Sequence, residues 1–183
     1  NGESSYSFLS YIGRVNYDFA GRYLVSMSYR ADGSSRFGPE NRWGYFPALS
    51  LGWVISDENF FASIGNALTF FKMRLSYGLV GNSEIGDYSY LSTYATSTYN
   101  ANTGLGLANV GDDKLGWETT SQLNVGISFE LFQGRISGEV DYYNKTTKDL
   151  LLPFPVSQMS GVSLVTKNAG TLTNKGYDMM LSS

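Results

Sequence analysis

Four acids, Glu118, Glu130, Glu139 and Asp141, are the side chains that most resemble a catalytic set, because paired carboxylates cleave glycosidic bonds. They occupy alternate positions shared with Thr120, Gln122, Asn124, Ser137 and Lys145, where acids are expected for solvation alone, so we assign them no catalytic role. The chain has no histidine and no cysteine. That removes the usual general base, the serine triad in its ordinary form, a cysteine nucleophile, thiolate metal sites and the commonest zinc ligand. Asp112 and Asp113 are adjacent instead of spaced like the oxygen ligands of a calcium loop, so no metal site is expected. What remains suits binding. Arg36, Asn41, Arg42 and Trp43 lie in a polar, glycine-rich loop, placed to touch a ligand or partner or to hold their own loop by bonding carbonyls and carboxylates. For the two arginines we prefer the second role. Tyr88, Tyr90, Tyr94 and Tyr99 lie in a second polar loop, where tyrosine stacks on a sugar ring, packs against a partner or binds its own loop together. The expectation is a binding protein that is not an enzyme and uses no cofactor.

The elements that carry these loops have a period of two. Tyr23, Val25, Met27, Tyr29 and Ala31 alternate with Leu24, Ser26, Ser28, Arg30 and Asp32. After the loop, Tyr45, Pro47, Leu49, Leu51, Trp53 and Ile55 alternate with Phe46, Ala48, Ser50, Gly52 and Val54. Such alternation predicts β-strands with one greasy and one small or hydrophilic face. The same pattern runs over 8–19, 70–82, 118–131, 135–145 and from Lys175 onward. Tight turns are expected at 20–22 and 132–134, and long loops at 33–44, 83–116 and 146–174, the second able to carry a hairpin of its own. Ser56, Asp57 and Glu58 read as the start of a short helix toward Ile64, ended by Gly65 and Asn66. Pro153 and Pro155 cannot donate to a ladder.

Composition sets outer limits. A net charge of −3 and a pI near 4.9, with nothing basic clustered, argue against nucleic acid as a partner. Aromatics at 15%, with 14 tyrosines and 21 glycines, suit strands and turns. No apolar run of about 18 residues marks a transmembrane helix, and no basic and apolar leader is visible. The chain starts and stops within strand pattern, so it is expected to be a piece of a larger one.

Three features favour a transmembrane antiparallel β-barrel over a soluble sandwich. Arg14, Arg74 and Glu130 lie deep on the polar faces, costly between packed sheets but comfortable in a water-filled lumen. The strands of about 10 to 14 residues exceed the usual soluble length, and about 9 to 11 tilted residues cross a bilayer. Short and long connections alternate, as when short turns face the periplasm and long loops the outside. Aromatics also gather near both strand ends, Tyr17, Phe19, Tyr23, Trp53, Phe71 and Phe129 at one and Tyr11, Tyr29, Tyr45 and Tyr142 at the other, as headgroup girdles would.

The run YIGRVNYDFAGRYLVSMSYRADGSSRFGPENRWGYFPALSLGWVISDENFF (Tyr11 to Phe61) resembles the C-terminal barrel of the SusC/RagA family of TonB-linked outer membrane transporters. So do KMRLSYGLVGNSEIGDY (Lys72 to Tyr88), WETTSQLNVGISFELFQGRISGEVDYYNKTTKDLLL (Trp117 to Leu152) and NAGTLTNKGYDMML (Asn168 to Leu181). Asp112 to Thr120 departs from the Asn-Pro-rich approach to Lys-Trp-Glu that is commoner in the family. The resemblance implies a Gram-negative outer membrane barrel of about 22 strands filled by an N-terminal plug. It also implies a SusD-like lipoprotein over the outer mouth, and TonB as the energy link. Residues 1–183 would supply about seven strands, with the plug and TonB contact segment absent. Uptake of an oligosaccharide is favoured and a peptide is possible; the alternative is a non-transporting β-sandwich or adhesin module binding through its tyrosine-rich loops.

Overall fold

The computed structural model describes residues 5–63, 67–99, 102–157 and 161–183. Seven long strands form one antiparallel sheet, in the order β1 (Phe8–Phe19), β2 (Tyr23–Ser34), β3 (Trp43–Val54), β4 (Leu68–Asn82), β7 (Glu118–Leu131), β8 (Ile136–Lys148) and β11 (Thr171–Ser182). Two small hairpins, β5 (Thr93–Tyr99) with β6 (Asn102–Asn109) and β9 (Leu151–Pro155) with β10 (Leu164–Asn168), are inserted between neighbours of the large sheet. Every neighbouring pair in the sheet is joined directly or through such an insertion, so the sheet is a meander whose connections alternate between a short-turn end and a long-loop end.

The tight turns explain the short end. Ala20 and Gly21 both have positive φ, 55° and 68°, matching the two left-handed positions of a turn whose twist suits a hairpin. Asp18 Oδ1 accepts from the Gly21 amide at 2.8 Å and fixes the turn. The expected helix after β3 is instead a pair of 3-10 turns, Ile55–Asp57 and Asn59–Ser63. Glu58 N bonds Ile55 O at 3.1 Å and Phe61 N bonds Glu58 O at 2.9 Å, so the chain turns in three-residue steps and returns without space for an α-helix. Gly65 and Asn66 lie outside the described residues.

Cross-strand register shows what each face is for. One row reads Tyr17, Val25, Leu51, Leu75, Val125, Tyr142 and Tyr177, and the next Phe19, Tyr23, Trp53, Met73, Ile127, Val140 and Met179. These side chains cover no interior among the described residues: Tyr17 is 58% exposed, Leu75 42% and Met179 74%. The opposite face carries the row Asn16, Ser26, Ser50, Ser76, Asn124 and Tyr143, in which Ser26 donates to Asn16 at 2.6 Å and Asn124 to Ser76 at 3.3 Å. One row below, Arg74 bonds Ser128, Glu139 and Asp141, and Gly126, lacking a side chain, leaves room for that carboxylate–guanidinium contact. An enclosed sandwich core would need these exposures reversed.

The outward tyrosines give the strand tilt. Tyr11 and Tyr45 share one cross-strand row, Tyr29 lies one row nearer the short-turn end, Tyr77 one row further, and Tyr142 with Tyr177 one further still. Three rows amount to about 20 Å along the strands, and the six steps from β1 to β11 to about 29 Å across them, a slope of about 35°. A membrane barrel strand tilts by about 35 to 45°, so these tyrosines fit a single headgroup layer. The lower line runs through Phe19, Tyr23 and Trp53 to Phe71 and Phe129.

We expect the cost of a lipid-facing charge to follow this tilt. In the full-length protein Ile127→Arg, midway between the two aromatic lines, should lower the heat-modifiable, assembled fraction most, at about 2 to 4 kcal/mol, and Val125→Arg and then Leu123→Arg progressively less. Asn124→Arg, on the opposite face, should be mild, and damage equal to that of Ile127→Arg would contradict the face assignment. The short-turn end makes a separate prediction. Hydrogen bonds from Tyr23 Oη (2.5 Å) and Trp53 Nε1 (3.1 Å), aided by Arg22, hold the Glu58 carboxyl below its ordinary range against a smaller opposing effect of burial. A depressed carboxylate stabilises the fold above its unfolded pKa, about 4.3, and that contribution is lost as pH falls through the lower folded value. Protection factors across 55–63, taken relative to the intrinsic exchange rate at each pH, should therefore fall on acidification through that window, and Glu58→Gln should flatten the response.

Candidate functional site at the long-loop end

Burial in this molecule is concentrated in the outer loops. Phe37 (0% exposed) and Phe46 (5%) are enclosed beside the Trp117 ring, which lies 5.2 Å from Phe37, 5.4 Å from Phe46 and 6.1 Å from Phe8, and Leu115, two residues before Trp117, is 1% exposed. This apolar knot gathers the first two long loops. Phe46 reaches it because β3 and β4 stop pairing above Ala48 and Gly78, and because Gly44 and Gly81 offer no side chains in its way.

Polar contacts then tie the loops together. Arg36, on the first loop, sends Nε to Asp87 at 3.0 Å and Nη1 to the Ser83 carbonyl at 3.3 Å and Glu84 at 3.5 Å, with its guanidinium 4.1 Å over Tyr6. Burial alone would lower its pKa, but the Asp87 hydrogen bond and both carboxylate charges outweigh this and leave it above the ordinary arginine value. Asn41 Nδ2 donates to the Asp113 carbonyl at 3.4 Å, while the Arg42 carbonyl accepts from Ser34 N at 3.0 Å and Trp117 Nε1 at 3.3 Å. The third loop joins through Asn168, whose Oδ1 accepts from Gly116 N at 2.7 Å and whose Nδ2 donates to the carbonyls of Gly116 and Asp149 at 2.9 Å each.

Of the residues singled out from sequence, Arg36 and Asn41 join this network by their side chains, Arg42 joins by its carbonyl while its Nε is buried without a hydrogen-bond partner among the described residues, and the Tyr90 ring lies against Gly38. Trp43 is elsewhere. It is the first residue of β3, points to the outward face, covers Gly33 and stacks on Tyr11 at 6.0 Å and 18°. Tyr88 holds a left-handed turn (φ 61°) and is half-exposed, Tyr94 is 67% exposed on the β5–β6 hairpin, and the Tyr99 side chain lies outside the described residues. Sequence reasoning passed over Phe37, Leu115, Trp117 and Asn168, the residues that close the knot. The one available signal was the apolar pair Leu115 and Trp117 within an otherwise polar stretch. Of the four acids, Glu139 and Asp141 are both engaged by Arg74, and Glu118 accepts from Asn82 Nδ2 at 3.4 Å and Leu151 N at 3.2 Å. Asp112 Oδ1 accepts from Lys114 N at 3.0 Å, a turn contact.

A family model described as TonB dependent receptor-like, beta-barrel, matches residues 2–183. The chain is 41% identical over 180 residues to TonB-dependent receptor P39 of Formosa agariphila, covering 98% of this chain and 17% of that protein. It is 38% identical over 186 residues to the TonB-dependent receptor SusC of Bacteroides thetaiotaomicron, covering 96% and 18%. Among solved structures it superposes on the RagAB peptide transporter with a TM-score of 0.87 at 36% identity, over 96% of this chain and 19% of that one. The siderophore receptor PirA from Pseudomonas aeruginosa, at 14% identity and a TM-score of 0.64 over 95% of this chain and 30% of that one, shares the fold alone. The chain spans less than a fifth of the length of its curated relatives. With a lipid-facing and a water-facing side, alternating connections and these relatives, the chain belongs to the TonB-dependent receptor β-barrel family, as part of a SusC/RagA-type barrel of the Gram-negative outer membrane.

Proposed function

We propose that the full-length protein imports a nutrient across the outer membrane, driven by TonB through a plug outside these 183 residues, with a SusD-like surface lipoprotein over its outer mouth. An oligosaccharide is the preferred cargo class and a peptide the second. The observation that carries this reading is the sheet itself: one face made for hydrocarbon and the other lined by Ser26, Ser50, Ser76, Asn124 and Arg74, the wall of an aqueous passage. SusC and a solved structure described as a peptide transporter among the relatives support it. The outer edges of β1 and β11 have no partner among the described residues, and open edges are not tolerated in lipid, so these strands form part of a larger closed barrel. In this scheme the knotted outer loops are a rim stiff enough to seat a lid, and Arg36, Asn41, Arg42, Tyr88, Tyr90 and Tyr94 frame it. Trp43 serves the membrane boundary.

Two measurements test the proposal. The full-length protein should fractionate with outer membranes, require detergent for extraction and migrate differently on a gel before and after heating. Cells depending on it for a glycan or peptide nutrient should lose uptake when TonB is deleted, and uptake that persists without TonB would overturn the reading. For the rim, Arg36→Ala should remove about 1 to 3 kcal/mol of local stability. It should appear as faster proteolysis and amide exchange across 83–92, with the barrel still assembled. Unchanged protection there would mean that Arg36 does not hold the second loop.

A further inference from the structure

We propose that Arg30 is a carboxylate-binding group on the passage side of the outer mouth, held in position by Asp32; the proposal rests on the import reading. Arg30 and Asp32 both point to the water-facing side, on the rows of Ile12 with Phe46 and of Ser10 with Gly44. They line a cavity of about 320 Å³ together with Tyr6, Phe8, Asn82 and Trp117.

The ion pair is asymmetric. Asp32 is 1% exposed, with Oδ2 2.7 Å from Arg30 Nε, whereas the Arg30 side chain remains 41% exposed. Here the anion is enclosed and the guanidinium projects. Its Cζ lies 5.6 Å from the centre of the Phe46 ring, within reach of a cation–π contact, and its one ionic partner among the described residues is Asp32. Arg30 Nε and Asp32 Oδ1 are both buried without a hydrogen-bond partner among the described residues, so the 2.7 Å contact is an ion pair that engages neither the second Asp32 oxygen nor the Arg30 terminal N–H groups.

Arg36 supplies the contrast. It lines the same cavity, but Asp87, Glu84 and the Ser83 carbonyl already occupy its fork. Of the two arginines in the cavity, Arg30 is therefore the one with its fork presented to the lumen. A guanidinium ion-paired on its Nε side and close to an aromatic ring has its terminal N–H groups left for a planar bidentate acceptor, and carboxylate matches that fork. The aromatic walls of Tyr6, Phe8 and Trp117 suit the organic body of such a ligand. The carboxylate comes either from a peptide C-terminus or from a uronic acid in an oligosaccharide.

The test is calorimetric titration of the full-length transporter in detergent with four probes: a tetrapeptide pool with free C-termini, the same pool amidated, trigalacturonate, and its methyl ester. The wild type should bind at least one acidic probe at least about tenfold more tightly than its neutral counterpart. Arg30→Gln should abolish that preference and Arg30→Lys should keep part of it, in variants shown to be assembled by heat-modifiable migration. Preference for the free peptides identifies the C-terminus as the source, and preference for trigalacturonate identifies the uronate. No preference in the wild type, or one that survives Arg30→Gln, overturns the proposal. So does a loss of assembly in Arg30→Gln with unchanged probe binding in the surviving protein, which would assign Arg30 to packing against another part of its own chain. Uptake that does not depend on TonB would sink the import reading while leaving this binding ratio intact, so the two failures are distinguishable.

Discussion

A peptide group in hydrocarbon has no water to bond, so each amide and carbonyl of a membrane-crossing strand must find its partner on the neighbouring strand. The ladder from Phe8 with Ser34 down to Phe19 with Tyr23 meets that requirement without a break. The requirement also decides where the side chains go. A single sheet layer has no interior, so Val25, Leu51, Leu75 and Ile127 satisfy their apolar character against lipid, and Ser50, Ser76 and Arg74 face water. Glycine opposite a large side chain is a repeated device of this layer. Phe129 covers Gly138 on the outward face and Tyr143 covers Gly176 on the inner one, so rings lie flat across neighbouring strands.

The protein-like core has consequently moved to the rim. Once the strands rise above the hydrocarbon, both faces meet water and the membrane no longer holds them. Closure there depends on Phe37, Leu115, Phe46 and Trp117, and on Arg36 and Asn168 as ties between loops. Functional groups follow the same division. Arg74 in mid-sheet is saturated by Glu139 and Asp141, whereas Arg30 at the rim is held from behind by a buried Asp32 and projects into the lumen.

The tilt accounts for the polar outward residues at the long-loop ends of β7, β8 and β11. Ser121, Asn144, Thr146, Thr173 and Lys175 would be misplaced in hydrocarbon if cross-strand rows were level. At about 35° they stand above the Tyr142 and Tyr177 line, beyond the lipid tails. Here the sequence reading of strand limits fell short. The strand expected to end at Lys145 runs to Lys148, and its partner begins at Thr171 instead of Lys175. Alternation reveals a strand only while its two faces meet different solvents; above the headgroups Thr146, Thr147 and Thr173 pair as before, but the contrast is gone. The prolines of β9 illustrate the same limit. They discouraged a strand assignment, yet Pro153 and Pro155 sit in a two-stranded hairpin, where a residue with no N–H to donate is tolerated on an open edge.

The sequence by itself determined the seven long strands, their facing, the alternation of turns and loops and hence the membrane barrel, because each is written in contacts between residues two apart or in a local turn. It also marked the first two long loops as the place to look for binding. Only the tertiary structure decided how that place is built. Whether an arginine is spent or presented depends on neighbours distant in the chain, such as Asp87 for Arg36 and the Phe46 ring for Arg30, and no local spacing encodes which carboxylates and rings will close around it. Trp43, two residues from Tyr45 on the same strand face, turns away from the loop network, and its stacking partner Tyr11 comes from β1, too distant in the chain for local spacing to reveal.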